Sequence, residues 1–171
     1  MVIERTIPAG ARREADREES ADNLVVFLTV THKTLTDPIR VVSDPVDHTL
    51  GGAVFTGFQF DISILTDTED APFAQLRIQN ADRRIGEALR SLDTPPKIRL
   101  EVISGSEFDQ TVDPRAEIGT AARTYVADEL LLTAVDADAL FVTGRLQARD
   151  YARELWPGRM ATQEFFPGLF R

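Results

Sequence analysis

The residues able to do chemistry are few and scattered. His32 and His48 are the only imidazoles, so a histidine-rich metal site is excluded, and each reads as sitting in a turn or at a strand end. Cysteine is absent, which removes disulfides, thiolate metal sites and cysteine nucleophiles together. The acidic run Asp67, Glu69 and Asp70 offers the oxygen ligands that a hard cation takes. It lacks the glycine and the spaced ligands of a calcium loop and reads as a solvated turn. Ser104-Gly105-Ser106 lacks the flanks of a nucleophile elbow, in which a tight strand-to-helix turn exposes the serine. Gly51-Gly52 opens no helix, so it aims no row of amides at a phosphate. Asp61 and Glu101 would form a glycosidase-like carboxylate pair if a sheet brought them together. Both fall on polar strand faces, where exposed charge is ordinary. Trp156 with Tyr151 and Asp150 is the one cluster of the aromatic-plus-carboxylate kind that a sugar site uses. No acid–base pair, nucleophile or ligand set emerges, and the chain reads as a protein without catalytic residues, metal or cofactor.

The whole chain sets the bounds within which any site must be built. Its 171 residues suffice for one domain with a sizeable core, with or without an extended arm. Hydrophobic residues make up 43% and charged residues 27%, the balance of a globular protein. The net charge is -9, with acidic residues spread along the chain, and a negative field opposes binding to phosphate backbones. No specific nucleic acid partner is expected. No apolar run approaches the roughly 18 residues that would span a bilayer, and MVIERTIPAGARREADREE lacks the apolar centre of a signal peptide. The expectation is a soluble protein made in the cytoplasm, without membrane insertion.

The elements follow from periodicity. Residues 1–23 form an arm whose stretch AGARREADREESA reads as a short exposed helix with little to bury. LVVFLTVT, from Leu24, is apolar on both faces and reads as a strand buried on both sides. THKTLTDP is a turn, IRVV a second short strand, and SDPVDHTLGG a loop. AVFTGFQFDISIL alternates, with Phe58, Phe60, Ile62 and Ile64 on one face, and Gly57 marks a bulge or bend. QLRIQ turns Leu76 and Ile78 inward and Arg77 outward. A helix is predicted near 82–92, capped by Asp82, with Ile85, Ala88, Leu89 and Leu92 as its buried stripe. KIRLEVI opposes Ile98, Leu100 and Val102 to Lys97, Arg99 and Glu101. Residues 104–122 lack steady periodicity and read as a long loop. TYVADELLLTAV and LFVTGRLQA then form a hairpin. The fold expected is mainly β, an antiparallel β-barrel or sandwich over residues 24–155 with one packed α-helix, flanked by extended N- and C-terminal arms.

The C-terminal arm, residues 156–171, is WPGRMATQEFFPGLFR. Chain ends are usually polar and frayed, whereas this one is aromatic and broken by Pro157-Gly158 and Pro167-Gly168. Trp156, Phe165, Phe166 and Phe170 pack either onto their own domain or onto a neighbouring subunit, since aromatics favour interface cores.

LVVFLTVTHKTLTDPIRVVSD, GGAVFTGFQFDISIL, AQLRIQNADRRIGEALRS, PPKIRLEVI and the closing FPGLF come in an order that resembles a family of tailed-bacteriophage tail proteins, the DUF1833 group. The resemblance runs from about Leu24 to the end. Its most specific pieces are LRIQNADRRIGEALR, similar to that family's strand–Asn–Asp–helix element, and the terminal PGLF. The chain departs from the family in the inserted loop 104–122 and in Thr56-Gly57, where a larger aromatic residue or an alanine is often found.

The resemblance implies a structural, non-enzymatic component of the virion tail tip, synthesised in the host cytoplasm. It implies a distal-tail or hub-adaptor role, in which copies form a ring, sixfold by this likeness, between the tail tube protein and the hub and baseplate proteins. Its interface would be Trp156, Phe165, Phe166, Pro167, Gly168, Leu169 and Phe170. Asn80, Asp82, Ile85 and Leu89 are fold-determining, the first two organising a turn and the others sealing the barrel. Arg83, Arg84 and Arg90 are exposed candidates for pairing with acidic neighbours. The alternative is a carbohydrate-binding β-module at the tail tip that aids host attachment, with Trp156, Tyr151 and Asp150 as its cluster.

Overall fold

The computed structural model describes residues 22–63, 73–79, 91–138 and 140–148, with positions 9, 12, 16, 17, 86, 87, 89, 162–164 and 168. The described chain is mainly β. Its strands are β1 (Leu24–Thr31), β2 (Ile39–Val42), β3 (His48–Leu50), β4 (Ala53–Gly57), β5 (Phe60–Ile62), β6 (Phe73–Gln79), β7 (Lys97–Ser104), β8 (Phe108–Asp109), β9 (Arg115–Glu117), β10 (Arg123–Ala137) and β11 (Phe141–Gln147). They join in the order β5-β6-β11-β10-β7-β1-β2-β4-β3-β9-β8. The sheet does not close into a barrel, because β5 and β8 are its two ends. Nor is it purely antiparallel, since β2 runs parallel to β4 and β3 parallel to β9.

β1 organises the molecule because it is apolar on both faces. Leu28 and Val30 enter the larger core, which Val41, Phe60, Leu76, Ile78, Ile98, Leu100, Leu130, Leu132 and Leu146 complete. Val25 and Phe27 point the other way into a second core, with Val42, Leu50, Phe55, Ile103, Phe108 and Ala121. The four β1 side chains Val25, Phe27, Leu28 and Val30 are each at most 2% exposed. Burying each contributes roughly 1.5–3 kcal/mol before entropy is counted, so this one strand rivals the net stability of a typical domain. The layout is sandwich-like, with β1 at the hinge of two packed faces.

β6 alternates strictly, with Ala74, Leu76 and Ile78 buried and Phe73, Gln75, Arg77 and Gln79 exposed. β10 and β11 form the predicted hairpin. Its turn is held by Asp138, whose Oδ1 accepts hydrogen bonds from the backbone N–H groups of Leu140 (2.7 Å) and Phe141 (2.6 Å). β10 is irregular: its pairing slips between Ala127 and Leu130 and again between Thr133 and Asp136. At those bulges Glu129 and Ala134 take left-handed backbone, with φ of 59° and 50°.

Three expectations are corrected. SDPVDHTLGG contains β3, and Gly51-Gly52 is the two-residue turn of the β3–β4 hairpin, with φ of 56° and 77° at the two glycines. Two successive positive φ values match the twist of paired strands, which is why glycines stand there. AVFTGFQFDISIL is not one strand. β4 pairs with β2 and β3, whereas β5 crosses to pair with β6. Residues 104–122 are not an irregular loop, because Gly105–Glu107 form a 3₁₀ turn and β8 and β9 follow. These strands are two and three residues long, too short for periodicity to register.

The predicted helix is described at Gly86, Glu87 and Leu89, and Leu89 belongs to the larger core. Asn80, Asp82 and Ile85 lie outside the described residues. In the N-terminal arm the described positions include a backbone hydrogen bond from the Asp16 N–H to the Arg12 carbonyl at 3.0 Å.

Candidate functional site

Most residues of the aromatic arm lie outside the described residues: Trp156, Phe165, Phe166, Pro167, Leu169 and Phe170. Gly168 is described and exposed. Asp150, Tyr151, the acidic run Asp67, Glu69 and Asp70, and Arg83, Arg84 and Arg90 also lie outside. Among the described residues, no cluster of three or more His, Asp or Glu side chains is placed to hold a metal ion, and no helix is long and apolar enough to cross a membrane.

The two histidines have separate surroundings. His32 follows β1, and its Nδ1 accepts from the Thr34 backbone N–H at 3.2 Å. That leaves the proton on Nε2, which donates to Thr94 Oγ1 at 2.6 Å. An imidazole in this tautomer cannot take the Thr94 proton, so the contact fastens the β1–β2 turn to the segment before β7. His48 is fully buried in the second core. Its ring sits edge-on to Phe27 (5.6 Å) and Phe108 (4.9 Å). Nδ1 donates to the Val46 carbonyl at 2.9 Å, and Nε2 has no hydrogen-bond partner.

Asp61 and Glu101 do not form a pair. Three strands, β6, β11 and β10, stand between β5 and β7, so the two carboxylates are separated by several strand spacings of roughly 4.8 Å each. Glu101 is instead buried on β7, at 5% exposure. It accepts from Arg123 Nε at 2.6 Å and from Arg99 Nη2 at 3.1 Å, while Arg99 also reaches Asp128 at 3.2 Å. Burial alone would push the Glu101 carboxyl up. The hydrogen bonds and charges of Arg99 and Arg123 outweigh it and hold the group below its usual range.

Other acidic side chains are spent on loops. Asp44 is buried and pairs with Arg115 at 2.9 Å, joining the segment after β2 to β9. Asp47 Oδ1 accepts the Gly57 N–H at 2.8 Å, and the Asp47 carbonyl accepts the Arg115 N–H at 2.8 Å. Gly57 is required by close approach, because an added Cβ would lie 2.7 Å from the Asp44 carbonyl oxygen and 2.9 Å from the Pro45 carbonyl carbon. Glu117 accepts from the Gly51 and Ala121 N–H groups at 3.0 and 2.6 Å. Asp22 accepts from Ser104 and Ser106 and so ties the entry of β1 to the end of β7. Burial would raise the Asp22 carboxyl, but these serine hydrogen bonds lower it overall. None of these ties was legible as such, since all but the Glu117–Ala121 contact join residues ten or more apart in sequence; the one local signal was the pair of aspartates in SDPVD.

Two outer surfaces remain. On the outward side of β4, β3 and β9 stand Val54 and, just past β9, Ile118, at 53% and 57% exposure, with Thr49, Thr56 and Ala116 between and beside them. These residues are uncharged, and Asp109 of β8, opposite Ala116, flanks them. On the outer side of β6, β11 and β10, Arg77 stacks on Phe141 with its guanidinium carbon 3.7 Å from the ring centroid. Arg145 stacks on Phe73 at 3.9 Å. Between them opens a shallow groove of about 310 Å³ lined by Phe73, Gln75, Ala134, Thr143, Gly144 and Arg145. The alternation that turned Arg77 outward was visible in the sequence; its pairing with a phenylalanine five strands later in the chain was not.

No protein-family model matches this chain, and no curated protein matches it.

Proposed function

We propose that the chain is a structural component of a bacteriophage tail tip, a subunit of a closed sixfold ring that joins the tail tube to the hub and baseplate. The observation that carries this reading is the ordered set of segments, from Leu24 to the terminal FPGLF, that resembles the tail-protein family. A mainly β domain is the architecture that resemblance implies. The described acidic groups Glu101, Asp44, Asp22 and Glu117 are used to fasten loops and strands, in keeping with a protein that builds instead of reacting.

A ring requires one patch on each subunit to meet a different patch on the next. The aromatic arm supplies one apolar surface. The uncharged row at Val54 and Ile118 is a surface of the kind such an arm covers. The net charge of -9 suits a conduit that passes DNA without retaining it, because negative walls repel phosphate. In this reading the protein acts in the virion tail tip after synthesis in the host cytoplasm, with itself, the tube protein and the hub proteins as partners.

Truncation after Leu155 tests the proposal. The full chain should assemble, and the truncated chain should keep its strand-rich circular dichroism spectrum but remain monomeric. A truncated chain that assembles like the full one would remove the arm from the interface.

A further inference from the structure

We propose that the outer face of β6, β11 and β10 binds an acidic oligosaccharide, with the groove beside Phe73 as its central subsite. The proposal is independent of ring assembly. Outward residues alternate along the strands, so that Arg77 lies opposite Thr143, Gln75 opposite Arg145, Gln79 opposite Phe141 and Phe73 opposite Gln147. Guanidinium, amide, hydroxyl and aromatic groups thus stand side by side on one open surface.

A sugar presents hydroxyls that both donate and accept, together with apolar C–H faces. Side-chain amides match the first need, since each carries both a donor and an acceptor. Among the described residues, the amides of Gln75 and Gln79 have no intramolecular partner and remain available. The second need falls to the part of the Phe73 ring that the stacked Arg145 leaves exposed. The groove, at about 310 Å³, lies at the small end of ligand sites, which run to roughly 1,000 Å³.

The acidic character of the ligand follows from the two arginines. Each guanidinium is laid on a phenyl ring, and stacking fixes its plane before a ligand arrives. A fixed planar fork reads a carboxylate through two parallel hydrogen bonds. The β10 bulge adds to the site. The left-handed turn at Ala134 breaks the ladder between Thr133 and Asp136, beside Thr143 and Gly144, where the groove opens.

Other polymers fit this face less well. An extended peptide adds to a sheet through a free backbone edge, and β6, β11 and β10 each have hydrogen-bonded neighbours on both sides. Asp61 opposite Arg77 and Asp136 opposite Thr143 are exposed carboxylates that repel any anionic group set against them, so a strand with a phosphate at every nucleotide fits less well than a sugar whose acid groups are spaced by neutral hydroxyls. The same two carboxylates accept hydrogen bonds from sugar hydroxyls.

Titration of the full-length chain with short galacturonate, glucuronate and sialic acid oligomers tests the proposal, read by amide chemical shifts and calorimetry. The expected result is saturable binding of at least one acidic oligomer, with shifts centred on β6, β11 and β10. Methyl-esterifying the bound sugar's carboxylates and the variant Arg145→Gln should each weaken binding by about tenfold or more. If Arg145→Gln fails to fold, Arg77→Gln, which leaves the groove lining intact, carries the same expectation. Failure of every acidic oligomer to bind at millimolar concentration would overturn the proposal. So would equal binding of the methyl ester, or tighter binding of poly-glutamate or oligothymidylate at the same face.

Discussion

At the scale of single residues, the described polar groups are mostly spent on holding the chain together, and Glu101 is the clearest case. Its carboxyl is lowered in the folded state by Arg99 and Arg123, against the opposing effect of burial. A lowered folded value means that the stabilisation is fully present above the unfolded value of about 4.5 and is lost as pH falls below it. Glu101→Gln is therefore expected to cost about 2 kcal/mol at neutral pH, since it takes the carboxylate from Arg123 and leaves Arg99 with Asp128 as its remaining anion. The difference between variant and parent should shrink on acidification below about pH 4.5, as measured by urea unfolding at a series of pH values. A gap that stays constant down to pH 3 would remove Glu101 from the acid response. Gly57 is the second case. Gly57→Ala places a methyl against immovable carbonyl groups of Asp44 and Pro45, so a loss of about 2 kcal/mol or more is expected in the same assay. A neutral Gly57→Ala would mean that the segment after β2 yields freely.

At the scale of elements, β1 decides the fold because both of its faces are filled. Phe27 packs against Phe55 at 5.1 Å, Phe108 at 5.3 Å and His48 at 5.6 Å, and so joins β1, β3, β4 and β8 in one cluster. Phe27→Ala is expected to cost about 3–5 kcal/mol, close to the whole stability of many domains, with loss of the cooperative thermal transition as the readout. A cost below 1 kcal/mol would show that the second core does not hold the sheet together. LVVFLTVT announced this role, because a strand apolar on both faces must have something packed on each. The strict alternation of QLRIQ and KIRLEVI likewise placed β6 and β7 correctly. The short strands β3, β8 and β9 escaped notice because two or three residues carry no period. The crossing from β4 to β5 was marked in the sequence only by Gly57, read as a bulge or bend, and the strand pairing reveals the change of partner. Glu101 was read as exposed for a related reason: alternation gives the face of a strand, but a later strand decides whether that face is covered.

At the scale of the whole molecule, the proposed function rests on assembly. The proposed head-to-tail ring requires two unlike surfaces, for which the outer row at Val54 and Ile118 and the aromatic residues 156–171 are the candidates. The aromatic composition of residues 156–171 is plain in the sequence, but most of them lie outside the described residues. The stacked arginines on β6 and β11 were not legible there, because Arg77 and Phe141 meet only through a strand pairing that local sequence does not specify. The measurement that tests the central claim most directly is the mass of the purified full-length chain by light scattering across a concentration series. A closed, sixfold oligomer whose mass stops rising with concentration is the expected result. A strict monomer at every concentration, or a mass that grows without limit, would contradict it.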